Sequence, residues 1–312
     1  MKLGADHVAV RVPATSGNLG PGFDALGMAY AMYDDIEVRT VASSTVQVEV
    51  HGEGAGKVAT DHTHLVARAL LHTLDYVGAP LAGLRMTCFN SVPHGRGLGS
   101  SAAATVAGIM AARELLAEPE SMDLNTVLAI ATEFEGHPDN AAPAIAGTAT
   151  VAWQDERGPS AAVLEVDEDI VPTLVIPRAE LLTATARAAL PATVPHTDAA
   201  FNVGRAALLV EALARRPELL FDATEDKLHQ PYRTAVMGES AEILGQLRAS
   251  GFAAVISGAG PTVLVLSTAA QLPAMDACLT RLLGPVSGWK VKRPGIDTLG
   301  AQARRITAGH SR

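Results

Sequence analysis

A glycine-rich stretch between a strand and a helix constrains this chain more than any other feature. Residues 84–89 alternate like a β-strand, and a helix of small residues follows the glycines. Alternating glycines let the backbone adopt conformations that a Cβ forbids, and they let a ligand approach closely. The first helical amides point outward unpaired, with the positive end of the helix dipole behind them. This arrangement predicts a phosphate-binding loop. Its residues are Pro93, His94, Gly95, Arg96, Gly97, Leu98, Gly99, Ser100, Ser101, Ala102 and Ala103.

The loop differs from two better-known phosphate loops. No Gly-Lys-Ser/Thr follows it, as a Walker A loop requires, and its third glycine comes one position too early for a dinucleotide fingerprint. The alternative is a glycine-rich turn with serines that cap a helix. A side chain at Gly97 is expected to face the phosphates.

Composition limits the class of protein. The chain has 312 residues, 48% of them hydrophobic, enough for one large domain or two ordinary ones. The net charge is -9 and no dense Lys/Arg run occurs, so we expect no nucleic-acid partner. The two cysteines lie in apolar contexts and indicate a reducing compartment. No signal-peptide or membrane-span pattern occurs, so we expect a cytoplasmic protein without a membrane partner.

The order of predicted elements indicates an α+β fold. A polar break at residues 154–162 predicts two domains, residues 1–157 with the phosphate loop and residues 158–312. Asp123 is predicted to cap a helix over residues 124–134. Strands are predicted at 8–12, 36–41, 45–50, 147–153, 171–176, 252–257 and 262–267, and further helices at 63–77, 198–215, 225–230 and 240–249.

Three segments resemble the motifs of one superfamily. Pro93 to Ala102 is similar to the phosphate motif of the GHMP kinases, which include galactokinase, homoserine kinase and mevalonate kinase. Residues 13–24 resemble the first GHMP motif and residues 257–262 the third, in the same order along the chain. Residues 137–144, 183–187 and 229–233 resemble the homoserine kinase branch.

The resemblance implies a fold, an activity and ligands. It implies a two-domain GHMP kinase fold, with an N-terminal domain like the second domain of ribosomal protein S5 and a ferredoxin-like C-terminal domain. It implies transfer of the ATP γ-phosphate to L-homoserine, with Mg²⁺, giving O-phospho-L-homoserine on the route to threonine. A homodimer is a further expectation. The alternatives are another GHMP small-molecule kinase, or a metabolite-binding regulator on the same fold.

An amino-acid substrate needs a cation for its carboxylate and an acceptor for its ammonium. Arg187 and Arg233 can each grip a carboxylate, and Asp24 can accept from an ammonium. The resemblance implies a substrate site of Asn18, Asp24, His137, Asn140, Arg187 and Arg233. Taken alone, each could be a turn residue, a loop histidine or a surface ion-pair partner.

Metal and proton transfer leave alternatives open. Ser101 and a carboxylate from the 124–134 helix are the natural Mg²⁺ ligands. Glu133 best matches the family's metal ligand, and Glu135 is the close competitor. Catalytic roles are predicted for Asn18, Asp139, Asn140 and Arg187. Asp139 lies beside the site, but Asn140 matches the position where mevalonate kinase has its aspartate. A mechanism without a side-chain base therefore stays open.

Overall fold

The structure, a computed structural model, describes residues 1–284 and 288–307. Its strands are β1 (His7–Gly17), β2 (Leu26–Val41), β3 (Val46–Gly52), β4 (Gly83–Asn90), β5 (Ala149–Asp155), β6 (Gly158–Leu164), β7 (Ile170–Ile176), β8 (Ala253–Ile256), β9 (Val263–Thr268), β10 (Lys290–Lys292) and β11 (Gln302–Arg305). Its α-helices are α1 (Leu65–Tyr76), α2 (Ser100–Leu115), α3 (Leu124–Glu135), α4 (Ala141–Ala146), α5 (Thr183–Ala188), α6 (His196–Ala214), α7 (Leu220–Ala223), α8 (Gln230–Arg233), α9 (Glu239–Ala249) and α10 (Leu272–Leu283). Across these residues, no helix is both long and apolar enough to span a membrane.

The first sheet carries the phosphate loop. Its strand order is β11-β1-β2-β4-β3, and β5 pairs with both β2 and β6. The β1–β2 register shifts between Pro13 and Ala14, and the last part of β1 then pairs with the part of β2 that contacts β5. Apolar residues of this sheet and of α1 to α4 form one core. The loop between β4 and α2 therefore starts and ends on packed elements.

The second sheet has the order β10-β7-β9-β8, with every pair antiparallel. Helices α5 to α9 connect β7 to β8, and α10 connects β9 to β10. This is the βαββαβ connection of a ferredoxin-like domain, as the resemblance implies. Residues from both sheets form a common core, to which Leu19, Leu98 and Val255 contribute. The two layers thus pack directly on each other next to the phosphate loop.

Sheet membership divides the chain differently from the composition break. The predicted boundary between residues 157 and 158 falls in the turn of the β5–β6 hairpin, where Asp155 pairs with Gly158. The last strand, β11, returns to the first sheet and pairs with β1. By strand pairing, the chain passes to the second sheet after Leu164 and comes back before β11.

Most of the predicted helices and strands are present, and one predicted helix is wrong. Asp123 caps α3, with its side chain accepting from the Thr126 amide at 2.8 Å. The predicted helix over residues 225–230 is absent, and an irregular segment separates α7 from α8 there. The carboxylate of Asp226 accepts from the backbone amides of Leu228, His229 and Gln230. These hydrogen bonds stabilise a turn, so the segment does not form a helix.

Candidate active site

The glycine-rich loop leads into the N-terminus of α2. Gly95, Gly97 and Gly99 have φ angles of 65°, 69° and 67°, in the left-handed region that favours glycine. The first backbone bond of the helix runs from the Ala103 amide to the Gly99 carbonyl, at 2.8 Å. The amides before Ala103 have no partner inside the helix. The predicted anion-binding geometry is therefore present.

Two distant segments hold the loop in this shape. The Thr15 amide donates to the Leu98 carbonyl at 3.1 Å, and the Ser257 hydroxyl donates to the Gly97 carbonyl at 2.6 Å. A Cβ at Gly99 would collide with the Thr15 side chain. The first and third motifs thus pack against the phosphate loop from both sides.

A buried carboxylate fixes the start of the loop. Asp34 accepts from the amides of Ser91 and Val92, at 2.7 and 2.9 Å, just before Pro93. Burial raises the pKa of Asp34 to about 6, although these two hydrogen bonds oppose the shift. The ionised form is therefore less stable in the folded chain than in the unfolded chain.

We expect Asp34 to make folding stability depend on pH. The pKa of Asp34 in the folded chain lies above the ordinary value of 3.8. The contribution of the protonated carboxyl to the free energy of unfolding is therefore present below pH 4 and is lost as pH rises through 6. Asp34→Asn keeps an acceptor oxygen but removes the ionisation. Between pH 4 and 6 the variant should gain roughly 2–3 kcal/mol in free energy of unfolding relative to wild type. Urea denaturation across this pH range measures it, and a pH-independent difference would contradict the assignment.

A cavity of about 370 Å³ lies in front of the loop. Seven of the residues predicted to bind nucleotide line it: Gly95, Gly97, Leu98, Gly99, Ser100, Ser101 and Ala102. The other four, Pro93, His94, Arg96 and Ala103, do not line it.

Arg96 turns away from the cavity. Its guanidinium donates to the carbonyls of His94, Pro177 and Arg178, at 2.7, 3.2 and 2.9 Å. The Leu181 amide also donates to the Gly95 carbonyl at 2.8 Å. These carbonyls occupy three of the five guanidinium N–H groups and tie the loop to the segment before α5. Arg96 does not line the cavity.

Five of the six predicted substrate residues line the same cavity. Asn18, His137, Asn140, Arg187 and Arg233 all line it, although they come from four distant segments. Asp24 forms a two-pronged ion pair with Arg187, at 2.7 and 3.2 Å. The structure thus brings all six together.

Arg233 is the most buried of these residues, with 1% of its surface exposed. Its Nη1 donates to the Gly258 carbonyl at 3.1 Å and to Nδ1 of His229 at 3.2 Å, while its buried Nε has no partner. Burial, followed by the nearby charge of Arg187, lowers the pKa of Arg233. The ring of Phe23 lies under both guanidiniums, 5.4 Å from that of Arg233 and 5.8 Å from that of Arg187.

His137, Asp139 and Asn140 form a hydrogen-bonded group. Oδ1 of Asp139 lies 2.5 Å from Nδ1 of His137 and accepts from Nδ2 of Asn140 at 3.2 Å. Thr15 donates to Oδ1 of Asn140 at 3.0 Å. Burial disfavours a charged His137, but its bond to Asp139 and the Asp139 charge prevail, so the pKa of His137 is raised. Oδ2 of Asp139 is buried without a partner.

The Asn18 amide is already engaged on both sides. Its Nδ2 donates to the Gly258 carbonyl at 2.9 Å, and its Oδ1 accepts from the Asp24 amide at 2.9 Å. Asn18 has a φ of 69° and Asp24 a φ of 55°, left-handed conformations that asparagine and aspartate tolerate better than most residues. Asn18 therefore shapes the loop that carries Asp24.

The two glutamates that are alternative candidates for the metal ligand lie on opposite faces of α3. Glu135 lines the cavity, and its Oε1 accepts from the Ser101 hydroxyl at 2.7 Å. Glu133 faces His72 at 3.2 Å and does not reach Ser101. Two residues along a helix span about 200° of rotation, so only one of the pair can face α2. The geometry therefore favours Glu135 over the predicted Glu133 as the carboxylate beside Ser101, and the metal ligand itself stays a prediction.

Comparison with known proteins shows the family to which the chain belongs. The model of the GHMP kinases N terminal domain matches residues 64–148, and that of the GHMP kinases C terminal domain matches residues 205–275. A curated homoserine kinase of Clavibacter michiganensis is 48% identical over 305 residues, covering 97% of this chain and 96% of its own length. The chain belongs to the homoserine kinase family. The predicted GHMP kinase fold and the predicted enzyme class, a small-molecule kinase, are confirmed.

Further relatives of the homoserine kinase family agree. The homoserine kinase of Streptomyces coelicolor is 50% identical over 298 residues, covering 95% of this chain and 94% of its own length. The crystal structure of homoserine kinase from Cytophaga hutchinsonii has a TM-score of 0.84 at 25% identity, covering 96% of this chain and 98% of that one. The similarity therefore includes both sheets.

Sequence reasoning overlooked three residues of this candidate site. Thr15 supports both the phosphate loop and Asn140, and Phe23 lies against both arginines that are predicted to bind substrate. His229 holds Arg233. All three lie inside segments that resemble family motifs, but nothing in their spacing indicates which cavity residues they contact.

Proposed function

We propose that this chain transfers the γ-phosphate of ATP to the side-chain hydroxyl of L-homoserine, giving O-phospho-L-homoserine and ADP. One observation carries the proposal. A phosphate loop at a helix N-terminus lines the same cavity as a cluster of Arg187, Arg233 and His137, in which Arg187 is paired with Asp24. The first suits a nucleotide, and the second suits a small zwitterion.

The arginines are proposed to read the substrate carboxylate. Arg233 is buried and forms no ion pair with a carboxylate anywhere in the described residues. A carboxylate in the cavity would supply its missing counter-charge. Arg187 already pairs with Asp24, so that pair presents one positive and one negative group side by side. Such a pair fits the carboxylate and the ammonium of an amino acid.

The loop is proposed to stabilise the charge that develops during transfer. Phosphoryl transfer depends mainly on positioning and on neutralising charge on the phosphate oxygens. The free amides of Ser100, Ser101 and Ala102 are fixed in place before the reaction, so they need no reorganisation. The buried Asp139 carboxylate is proposed to orient His137 and Asn140 towards the acceptor.

Mg²⁺ fits the residues at one end of the loop. Ser101 and Glu135 bring two hard oxygen donors together at the helix N-terminus, the ligand type that Mg²⁺ prefers. Bound there, the ion would neutralise phosphate charge. We propose that these two residues hold it, directly or through water.

An assay of acceptor choice tests the proposed reaction. ADP release is measured by enzyme coupling with L-homoserine, mevalonate, galactose or no acceptor. We expect release only with L-homoserine, and phosphorus NMR should identify a phosphate monoester as the product. Preference for another acceptor would assign the chain to a different kinase reaction. ADP release without any acceptor would indicate an ATPase.

Glu135→Gln tests the metal site. The change keeps size and removes charge, so kcat should fall on the order of 10- to 100-fold and the apparent Mg²⁺ affinity should weaken. Glu133→Gln is the matched control two residues away, and its kinetics should stay near wild type because Glu133 faces His72. Magnesium titrations of both variants measure this. A loss in Glu133→Gln alone would restore the original assignment.

A further inference from the structure

His229 is a fully buried histidine at the start of α8, and the site described above gives it no contact with substrate. Its Nε2 lies 2.7 Å from the Gly20 carbonyl, and its Nδ1 lies 3.2 Å from Nη1 of Arg233. A carbonyl can only accept, and an arginine can only donate. His229 is therefore neutral, with its proton on Nε2 and an acceptor at Nδ1.

The rest of the surroundings hold the imidazole in this orientation. Asp226 accepts from the His229 and Gln230 amides, at 3.1 and 2.7 Å, which fixes the backbone where α8 begins. The ring of Phe23 stacks on the imidazole, with centroids 5.2 Å apart and planes 27° apart. Neither the backbone nor the ring of His229 is free to follow Arg233.

The guanidinium depends on two fixed acceptors. Nη1 of Arg233 donates to the Gly258 carbonyl and to Nδ1 of His229. These two bonds account for both Nη1 protons, so they set the plane and rotation of the group. A planar fork grips a carboxylate well in only a narrow range of orientations.

We propose that His229 is a positioning residue for substrate recognition: its Nδ1 fixes the Arg233 guanidinium so that the fork meets the α-carboxylate of the substrate. The proposal rests on the function proposed above. It assigns to His229 a role in homoserine affinity and none in the transfer step.

Two substitutions separate the two nitrogens of His229. His229→Asn can place its amide oxygen near the Nδ1 position and so keeps an acceptor for Arg233. His229→Gln can place its amide N–H near the Nε2 position and so keeps the bond to Gly20 but loses that acceptor. We expect the KM for L-homoserine to rise about tenfold or more in His229→Gln. The kcat and the KM for ATP should stay within about twofold, and His229→Asn should restore most of the loss.

A control removes a buried hydrogen bond elsewhere. Thr73 is buried in α1 and donates to the Ala69 carbonyl at 2.7 Å. Thr73→Val should lower the melting temperature without changing the KM for homoserine. In an Arg233→Leu background, His229→Gln should have no further effect, because the group through which it acts is already gone.

Several results would overturn the proposal. It is wrong if the two His229 variants change KM equally, if kcat carries the loss, or if the effect persists without Arg233. If His229→Gln does not fold, nitrogen-15 NMR of wild-type histidines decides, and a protonated Nδ1 on His229 would refute the proposal. A wild-type enzyme that does not phosphorylate homoserine would refute the proposed function instead, while the NMR result would still stand.

Discussion

Arg233→Leu should lower kcat/KM for L-homoserine by roughly 30- to 1,000-fold, or about 2–4 kcal/mol. The substitution removes the buried guanidinium that has no carboxylate partner in the described residues, and leucine fills much of the same volume. The KM for ATP should change far less, since the hydrogen bonds of Arg233 go to Gly258 and His229 and not to the phosphate loop. Steady-state kinetics with each substrate varied in turn measure both effects.

An amidated substrate shows whether the carboxylate is what Arg233 reads. Wild type should discriminate strongly against homoserine amide. Arg233→Leu should discriminate weakly, because it has already lost the guanidinium that binds the carboxylate. Arg216→Leu is the control, since Arg216 forms an exposed ion pair with Glu218. Equal discrimination by Arg233→Leu and wild type would place the carboxylate elsewhere. If wild type ignores amidation, the substrate is of another class.

Gly97→Val should abolish nucleotide binding, with an affinity loss of 100-fold or more, roughly 3 kcal/mol. The sequence suggested that a side chain here would face the phosphates, but a Cβ would instead meet the Ser257 carbonyl and the Gly260 amide, the latter at 2.8 Å. Valine also tolerates the φ of 69° poorly. The loop must therefore move away from the third motif and lose its shape. Calorimetric titration with a non-hydrolysable ATP analogue measures the loss.

A substitution at a second glycine distinguishes the effect of backbone strain from the effect of a steric clash. Gly78 also has a left-handed φ, 62°, but nothing lies within 4 Å of its Cβ position. Gly78→Val should carry the backbone strain without disturbing the cavity, so nucleotide affinity should stay near wild type. Unchanged affinity in a folded Gly97→Val protein would remove the loop from the nucleotide site.

Some features could be predicted because they depend on neighbours in sequence. The phosphate loop requires glycines at positions with positive φ, followed by a helix of small residues, and both are visible in residues 95–104. The Asp123 cap requires only a carboxylate before a helix. Three motifs in order also identify the family, since their spacing is a property of the chain itself.

Other features follow from packing between distant segments. Glu133 and Glu135 are equally good ligands in sequence, and only the contact of α3 with α2 decides that Glu135 faces Ser101. The loop arginine, Arg96, looks like a phosphate ligand, but two of its three carbonyl acceptors come from residues 177 and 178, far away in the sequence.

The sequence by itself therefore determined the family, the phosphate loop and the set of polar residues from which the site is built. The tertiary structure decided which of those residues face the cavity and which ones support them, including His229 behind Arg233 and β11 beside β1. The physical reason is how far apart in the sequence the interacting residues lie. A turn or a cap is fixed by a few adjacent dihedral angles and hydrogen bonds. The direction of a side chain across the fold is fixed by many weak contacts between segments far apart in the chain, and no local pattern encodes their sum.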